Sequence, residues 1–422
     1  MQKKAFVFPG QGSQYVGMGK KLVENFKLAS DVFEEANEAL SFDLKKMCFE
    51  GDKSELTLTY NAQPAILTTS VAMFRVLMAE EGITPDLMAG HSLGEISALT
   101  AAGAIDFADA VKIVRKRGEF MQQAVPPQLG SMIAVMTRDV EKLKDICRSV
   151  SGSSGIASIS NFNSRTQTVI SGNRHTVDQV VKILEEQQIK SSQLNVSAPF
   201  HCALMEPAAE MFKQELANYT FHDFKYPILS NVTAKPYQGK EDIVENLTAQ
   251  IVMPVRWVDC MTYAKMAMVQ YAVEIGPGNV LKNMMGGIYS DIPFYCYDIP
   301  ANVTVLKKHI EKSYIPFLSR SLGISAATRN HNWNEEEYRK GVIEPYNRIN
   351  ELQQHIEKDG RTATLEEMQQ GIEMLLTMFQ TKKTPLDEQV ARFQELFRDS
   401  GTEALFQDFD YRAIKQGGFA WI

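Results

Sequence analysis

Met88-Ala89-Gly90-His91-Ser92-Leu93-Gly94-Glu95 carries the chain from an apolar run into a helical pattern within a few residues. A glycine stands two residues before the serine and another two after it. This spacing predicts a sharp strand-to-helix turn with Ser92 at its tip, because glycine tolerates strained backbone and close approach. A serine so held has its hydroxyl in the open at the positive end of the following helix. The N–H of Leu93 then points to where an oxyanion would form. The segment therefore reads either as a nucleophile for acyl transfer or as a turn serine that caps a helix.

Upstream, Ala5 to Phe8 reads as a buried strand, and Pro9-Gly10-Gln11-Gly12-Ser13-Gln14 as a tight loop leaving it. The loop matches neither a dinucleotide fingerprint nor a P-loop. It either offers an N–H, from Gln11, to the same oxyanion as Leu93, or is a glycine-rich turn with no ligand. Helices are expected over Leu22–Leu40 and Ala62–Glu81. A strand over Ile83–Ala89 delivers Ser92, and a helix over Ile96–Gly103 lies behind it. His91 is expected to point away from the serine and to stabilise the turn.

Downstream, Asp106 is placed to cap a helix over Phe107–Ala124. Arg117 lies four residues after Ile113 and four before Met121, inside that helix's apolar stripe. A buried guanidinium has to be paired. Its partner is either a distant Asp or Glu or a ligand carboxylate, for which arginine offers a bidentate fork.

Pro126-Pro127 and Gly130 mark a boundary. Beyond it the expected order is strand 131–136, helix 139–150, strand 155–161, strand 167–171, helix 175–187 and strand 191–196. This βαββαβ unit is the ferredoxin-like arrangement. Asn161 is expected to close its central strand, as a cleft residue or a turn former. Phe200 and His201 follow the insert, with His201 opening a helix, either as a satisfied structural residue or as a base facing Ser92 across a cleft. Strands are expected over Tyr226–Asn231, from Tyr271 and over Pro293–Asp298, and a helix ends near Gln250. After about residue 300 the pattern is helical: Asn334–Lys358, a helix opened by a capping box at Thr364, and a third after Pro385.

The fold class is thus α/β: an α/β-hydrolase-like body with a mostly parallel sheet (1–125 and 199–300), a ferredoxin-like insert (126–198) and a helical extension (301–422). The 422 residues are 44% hydrophobic and 23% charged, ordinary for a globular protein. A net charge of −7 argues against nucleic acid as a general partner. The five cysteines are scattered, which predicts neither disulfides nor a zinc site and fits a reducing cytoplasm. The amino terminus has too short an apolar run for a signal peptide, and no segment is expected to be long enough to cross a bilayer.

These residues together resemble the malonyl-coenzyme A:acyl carrier protein transacylases, and more narrowly the free-standing acyltransferases of polyketide or hybrid polyketide–peptide assembly lines. The resemblance covers residues 1 to about 300. It rests on Pro9–Gln14, Gly90–Glu95, Arg117 followed by glycine, Asn161-Phe162-Asn163, Phe200-His201, Gln250 and Glu274–Gly278. It implies that Ser92 is the acylated nucleophile, His201 its base, Gln11 and Leu93 the oxyanion donors, and Arg117 the malonyl-carboxylate clamp. A backbone carbonyl near Gln250 would orient the histidine, and Phe200 would crowd the acyl α-carbon. The substrates implied are a coenzyme A thioester, malonyl-CoA or an aminomalonyl or hydroxymalonyl relative, and a phosphopantetheinyl acyl carrier protein. No bound cofactor or metal is expected. Two other readings are an α/β-hydrolase-type thioesterase, which would need an acid for its histidine, and a non-catalytic carrier-docking protein.

Overall fold

The structure, a computed structural model, describes residues 2–126, 128–406 and 409. The chain forms two compact units, Gln2–Leu306 and a second beginning at Lys307. The first contains strands β1 (Lys4–Phe8), β2 (Leu87–Gly90), β3 (Gly130–Met136), β4 (Ala157–Ser164), β5 (Gln167–Asn173), β6 (Lys190–Gln193), β7 (Ile228–Leu229), β8 (Tyr271–Glu274) and β9 (Phe294–Cys296). Four of its helices matter below: α1 (Thr59–Glu81), α2 (Leu93–Ala101), α3 (Phe107–Gln123) and α4 (Ile243–Val252).

One sheet has the order β7-β2-β1-β8-β9 with every pairing parallel. Strands β1, β2, β7 and β8 are buried throughout, as continuous apolar runs such as Ala5-Phe6-Val7-Phe8 require, and the edge strand β9 is partly exposed. In such a sheet the carboxyl ends of neighbouring strands converge. Phe8 pairs with Gly90, so the loop after β1 and the turn after β2 emerge side by side. The second sheet, β4-β5-β3-β6, is wholly antiparallel and packs the helices Val140–Val150 and Arg174–Glu186 over its own apolar core. The fold is α/β with a parallel sheet, and its carboxyl-terminal region is helical.

Several boundaries differ from the sequence reading. The helix expected over Leu22–Leu40 is two, Lys20–Asn25 and Lys27–Leu40, broken where Phe26 is extended. Helix α1 begins at Thr59, with Pro64 inside it. The proline has no N–H for the carbonyl of Tyr60, which instead accepts from Arg115 at 3.0 Å. Strand β7 is only two residues long, because Asn231 is diverted to the site below. Strand β4 lies at the edge of its sheet, not the centre, and Asn161 sits within it at a bulge, bridged to Val255. His201 does not open a helix: its φ is 60°, Cys202 is extended, and an α-helix starts only at Glu206. Helix α1 also corrects the membrane reading. At 23 residues it is long and apolar enough to span a bilayer by length and composition, but 83% of its most apolar window is buried in the protein.

The second unit is a helical bundle of Phe317–Ala327, Glu344–Lys358, Leu365–Lys382 and Leu386–Ser400 around Phe317, Phe379, Phe393 and Phe397. The helix expected over Asn334–Lys358 is interrupted by a π turn at Arg339–Ile343. The capping box forms between Thr364 and Glu367.

Candidate active site

The turn at Ser92 is built by close contact. A Cβ on Gly90 would lie 1.9 Å from the backbone of Gly94, and one on Gly94 would lie 2.0 Å from the carbonyl oxygen of Phe8. Only glycine lets β2, the first turn of α2 and the end of β1 approach this closely. Ser92 itself has φ 52° and ψ −107°, a strained conformation that costs roughly 1–3 kcal/mol. It is held by Asn231, whose Oδ1 accepts the Ser92 N–H at 2.7 Å while its Nδ2 donates to the Gly90 carbonyl at 2.7 Å.

The Ser92 hydroxyl lies 2.8 Å from Nε2 of His201. The opposite ring nitrogen, Nδ1, donates to the backbone carbonyl of Gln250 at 2.7 Å. That bond fixes the tautomer with Nε2 free to accept a proton from serine. Burial, aided by the nearby Arg117 cation, pushes the His201 pKa down to about 3, so the ring is neutral at ordinary pH.

Arg117 is 1% exposed. Helix α3 brings it deep because Gly118 lies against the backbone of α1, where a Cβ would stand 2.6 Å from the Cα of Tyr60. Its Nη1 donates to Oε1 of Gln63 at 2.9 Å, and its Nη2 to Oε1 of Gln250 at 2.8 Å and to Ser92 Oγ at 3.2 Å. Of the two partners the sequence left open for it, a distant Asp or Glu is not in contact with it among the described residues. Its Nε is buried with no hydrogen-bond partner among the described residues. Burial lowers its pKa to about 10, still leaving it charged.

A cavity of about 310 Å³ is lined by Gln11, His91, Ser92, Leu93, Arg117, Asn161, Phe200 and His201. Gln250 stands behind it, fully buried. The candidate site residues named from the sequence therefore gather at one place. Neither the N–H of Gln11 nor that of Leu93 donates a hydrogen bond among the described residues. His91 does more than brace its own turn: its Nε2 donates to Asn163 Oδ1 at 2.9 Å, which ties the turn to the insert. The sequence reading missed Gln63, Asn231 and the bonding of Glu95. Gln63 is one of several polar residues in helix α1, so its type carried no signal, whereas Asn231 is a polar end to a short apolar run and was visible as an anomaly.

The sequence pattern of the acyl transferase domain family matches residues 5–291. The chain belongs to the acyl transferase family. It is 40% identical over 396 residues to a malonyl CoA-acyl carrier protein transacylase of Bacillus subtilis, covering 92% of this chain and 99% of that protein. It is 47% identical over 286 residues to one from Bacillus subtilis strain 168, covering 68% and 90%. A match of 396 residues necessarily extends beyond Leu306 into the helical unit. Among solved structures, the malonyl CoA-acyl carrier protein transacylase of Coxiella burnetii aligns with a TM-score of 0.71 at 36% identity, over 73% of this acyltransferase and 98% of that chain. A malonyl-transacylase in complex with its type II PKS acyl-carrier protein aligns with a TM-score of 0.71 at 37% identity, over 73% and 99%.

Proposed function

We propose that this acyltransferase moves a malonyl-type carboxyacyl group from a coenzyme A or carrier-protein thioester to the phosphopantetheine thiol of an acyl carrier protein. The observation that carries the reading is the buried Arg117 guanidinium beside the Ser92 hydroxyl, with no carboxylate in contact with it among the described residues. A carboxyacyl thioester supplies the missing anion, whereas an acetyl group would leave the cation unpaired.

The reaction runs in two halves. Ser92 Oγ attacks the thioester carbon and its proton passes to Nε2 of His201. The N–H groups of Gln11 and Leu93 hold the oxyanion. The C–S bond breaks, the leaving sulfur takes the proton from the imidazolium, and an acyl-serine ester remains. In the second half the carrier thiol gives its proton to His201 and attacks the ester carbonyl; the C–O bond to Ser92 breaks, and the leaving Oγ takes that proton from the imidazolium. The Gln250 carbonyl keeps the imidazole in register, and Phe200 limits room at the acyl α-carbon. No cofactor or metal enters this scheme, because every group it uses belongs to the chain or the substrates.

We read the extender as malonyl, with aminomalonyl and hydroxymalonyl as relatives that the same clamp would accept, and the pathway as polyketide assembly. The solved relative bound to a PKS carrier protein supports the pathway. We divide the chain as 1–125 with 199–300, 126–198 and 301–422. The strand order and the antiparallel pairing of the insert support calling it ferredoxin-like, and the strand–Ser92–helix turn supports calling the body α/β-hydrolase-like. We also propose a cytoplasmic setting, in keeping with five unpaired cysteines.

The test is a competition among malonyl, methylmalonyl, aminomalonyl and hydroxymalonyl thioesters, read as the mass of the acylated protein. A malonyl adduct on Ser92 that is discharged by a holo carrier protein is the expected result. No adduct with any donor, or discharge to water alone, would overturn the reading.

A further inference from the structure

Arg117 poses a charge problem that its direct contacts do not solve. Its hydrogen-bonded neighbours are two neutral amides and a hydroxyl. A charge taken fully out of water with no opposite charge nearby is strongly unfavourable. The carboxylate that acts on it is Glu95, which is 0% exposed; burial raises its pKa to about 7, so it is ionised above that pH.

Glu95 and Arg117 are joined through one side chain. Gln250 Nε2 donates to Glu95 Oε2 at 2.6 Å, and Gln250 Oε1 accepts from Arg117 Nη2 at 2.8 Å. The amide dipole therefore points from anion to cation. Glu95 is otherwise fixed by the N–H of Asn231 at 3.0 Å and by the hydroxyl of Tyr237. The charged and titratable groups within electrostatic reach are Arg117, Tyr237 and the Cys260 thiol.

We propose that Glu95 is the displaced counter-ion of Arg117. Its carboxylate balances the guanidinium through the Gln250 amide, one side chain removed, so the cation stays charged while its cavity-facing edge remains open to a ligand carboxylate. A direct ion pair would quench that edge, and no carboxylate at all would leave an isolated charge. Glu95 is thus a positioning residue for the clamp. Only the ligand half of this statement rests on the proposed malonyl chemistry.

The test is a double-mutant cycle on the full chain: wild type, Glu95→Gln, Arg117→Met and the double variant, by urea unfolding at pH 8.5. Glutamine at 95 keeps an acceptor for Asn231 and Gln250 and turns its NH₂ to Tyr237, so the charge is the main change. Glu95→Gln is expected to destabilise in the presence of Arg117 and to cost little or nothing in the Arg117→Met background. The coupling should be at least about ten-fold in the unfolding equilibrium constant. Equal loss in both backgrounds would overturn the proposal, as would failure of Glu95→Gln to fold in both; folding restored by Arg117→Met would support it. In a second arm, malonyl-CoA is added and acylation is checked by mass. Malonylation should stabilise Glu95→Gln more than wild type, because the acyl carboxylate then supplies the missing charge. Coupling in the cycle without any malonyl adduct would leave the counter-ion in place and remove the malonyl reading instead.

Discussion

Nη2 of Arg117 lies 3.2 Å from Oγ of Ser92, so the buried cation touches the serine hydroxyl itself. An acyl group on that oxygen with a carboxylate two carbons from its carbonyl cannot avoid the guanidinium. The same contact places a positive charge near His201, which adds to burial, the larger cause, in holding the histidine neutral.

Arg117→Ala should therefore cut transfer from malonyl-CoA by about 100-fold or more, the scale of a lost charge-assisted hydrogen bond. Transfer from acetyl-CoA should persist or rise, since a cation with no partner is removed. The measurement is kcat/KM for both donors with one carrier protein; equal losses would show that Arg117 is not the clamp.

The pH dependence follows from His201. Its folded pKa, about 3, lies below the ordinary 6.5, and only the neutral ring can take the serine proton. Acylation of the free enzyme should consequently show no acid limb near 6.5, and kcat/KM should stay flat between about pH 5.5 and 8. Stability has the opposite sensitivity. Between the two pKa values the unfolded chain binds the proton and the folded one does not, so this group's contribution is lost as pH falls below 6.5. A bell-shaped profile with an acid midpoint near 6.5 would mean that the imidazole is far more solvated than its burial indicates.

Asn231→Ala removes the acceptor of the Ser92 N–H and the donor to Gly90. A buried N–H left without a partner costs about 1–3 kcal/mol. The variant should unfold at lower urea, and its acylation rate should drop roughly ten-fold as the strained turn relaxes. Asn231→Asp keeps the acceptor and should retain more of the rate than alanine; stopped-flow acylation distinguishes the two.

Glu274 offers a prediction away from the cavity. Its carboxyl accepts the N–H groups of Leu281 and Lys282, each at 2.9 Å, at the start of the helix Val280–Met285. Burial still raises its pKa from 4.5 to about 7. Between those values the unfolded chain has released the proton and the folded chain has kept it, so stability from this group declines as pH rises. Glu274→Gln should flatten that part of the stability curve between pH 5 and 7.5; an unchanged slope would assign it to other groups, Glu95 among them.

The turn at Ser92, the apolar parallel strands, the alternation of strands and helices between 130 and 193, and the capping box were legible because each is a local pattern. Arg117 was legible as an anomaly for the same reason, since a charge on an apolar stripe contradicts its neighbours. The position of β4 in its sheet was not, because edge and centre strands carry similar residues. Nor was the backbone at His201, where a positive φ is imposed by the surroundings and not by the residue type.

The order of residues by itself determined which groups could do chemistry: a hydroxyl between glycines, an imidazole after a proline, a guanidinium that needs an anion. Only the tertiary structure decided their partners. It chose a backbone carbonyl for His201, two amides for Arg117, and Glu95 at one remove. The reason is physical: hydrogen-bond partners of buried polar groups come from segments far apart in sequence, and only packing fixes which of the many available donors and acceptors arrive within 3 Å.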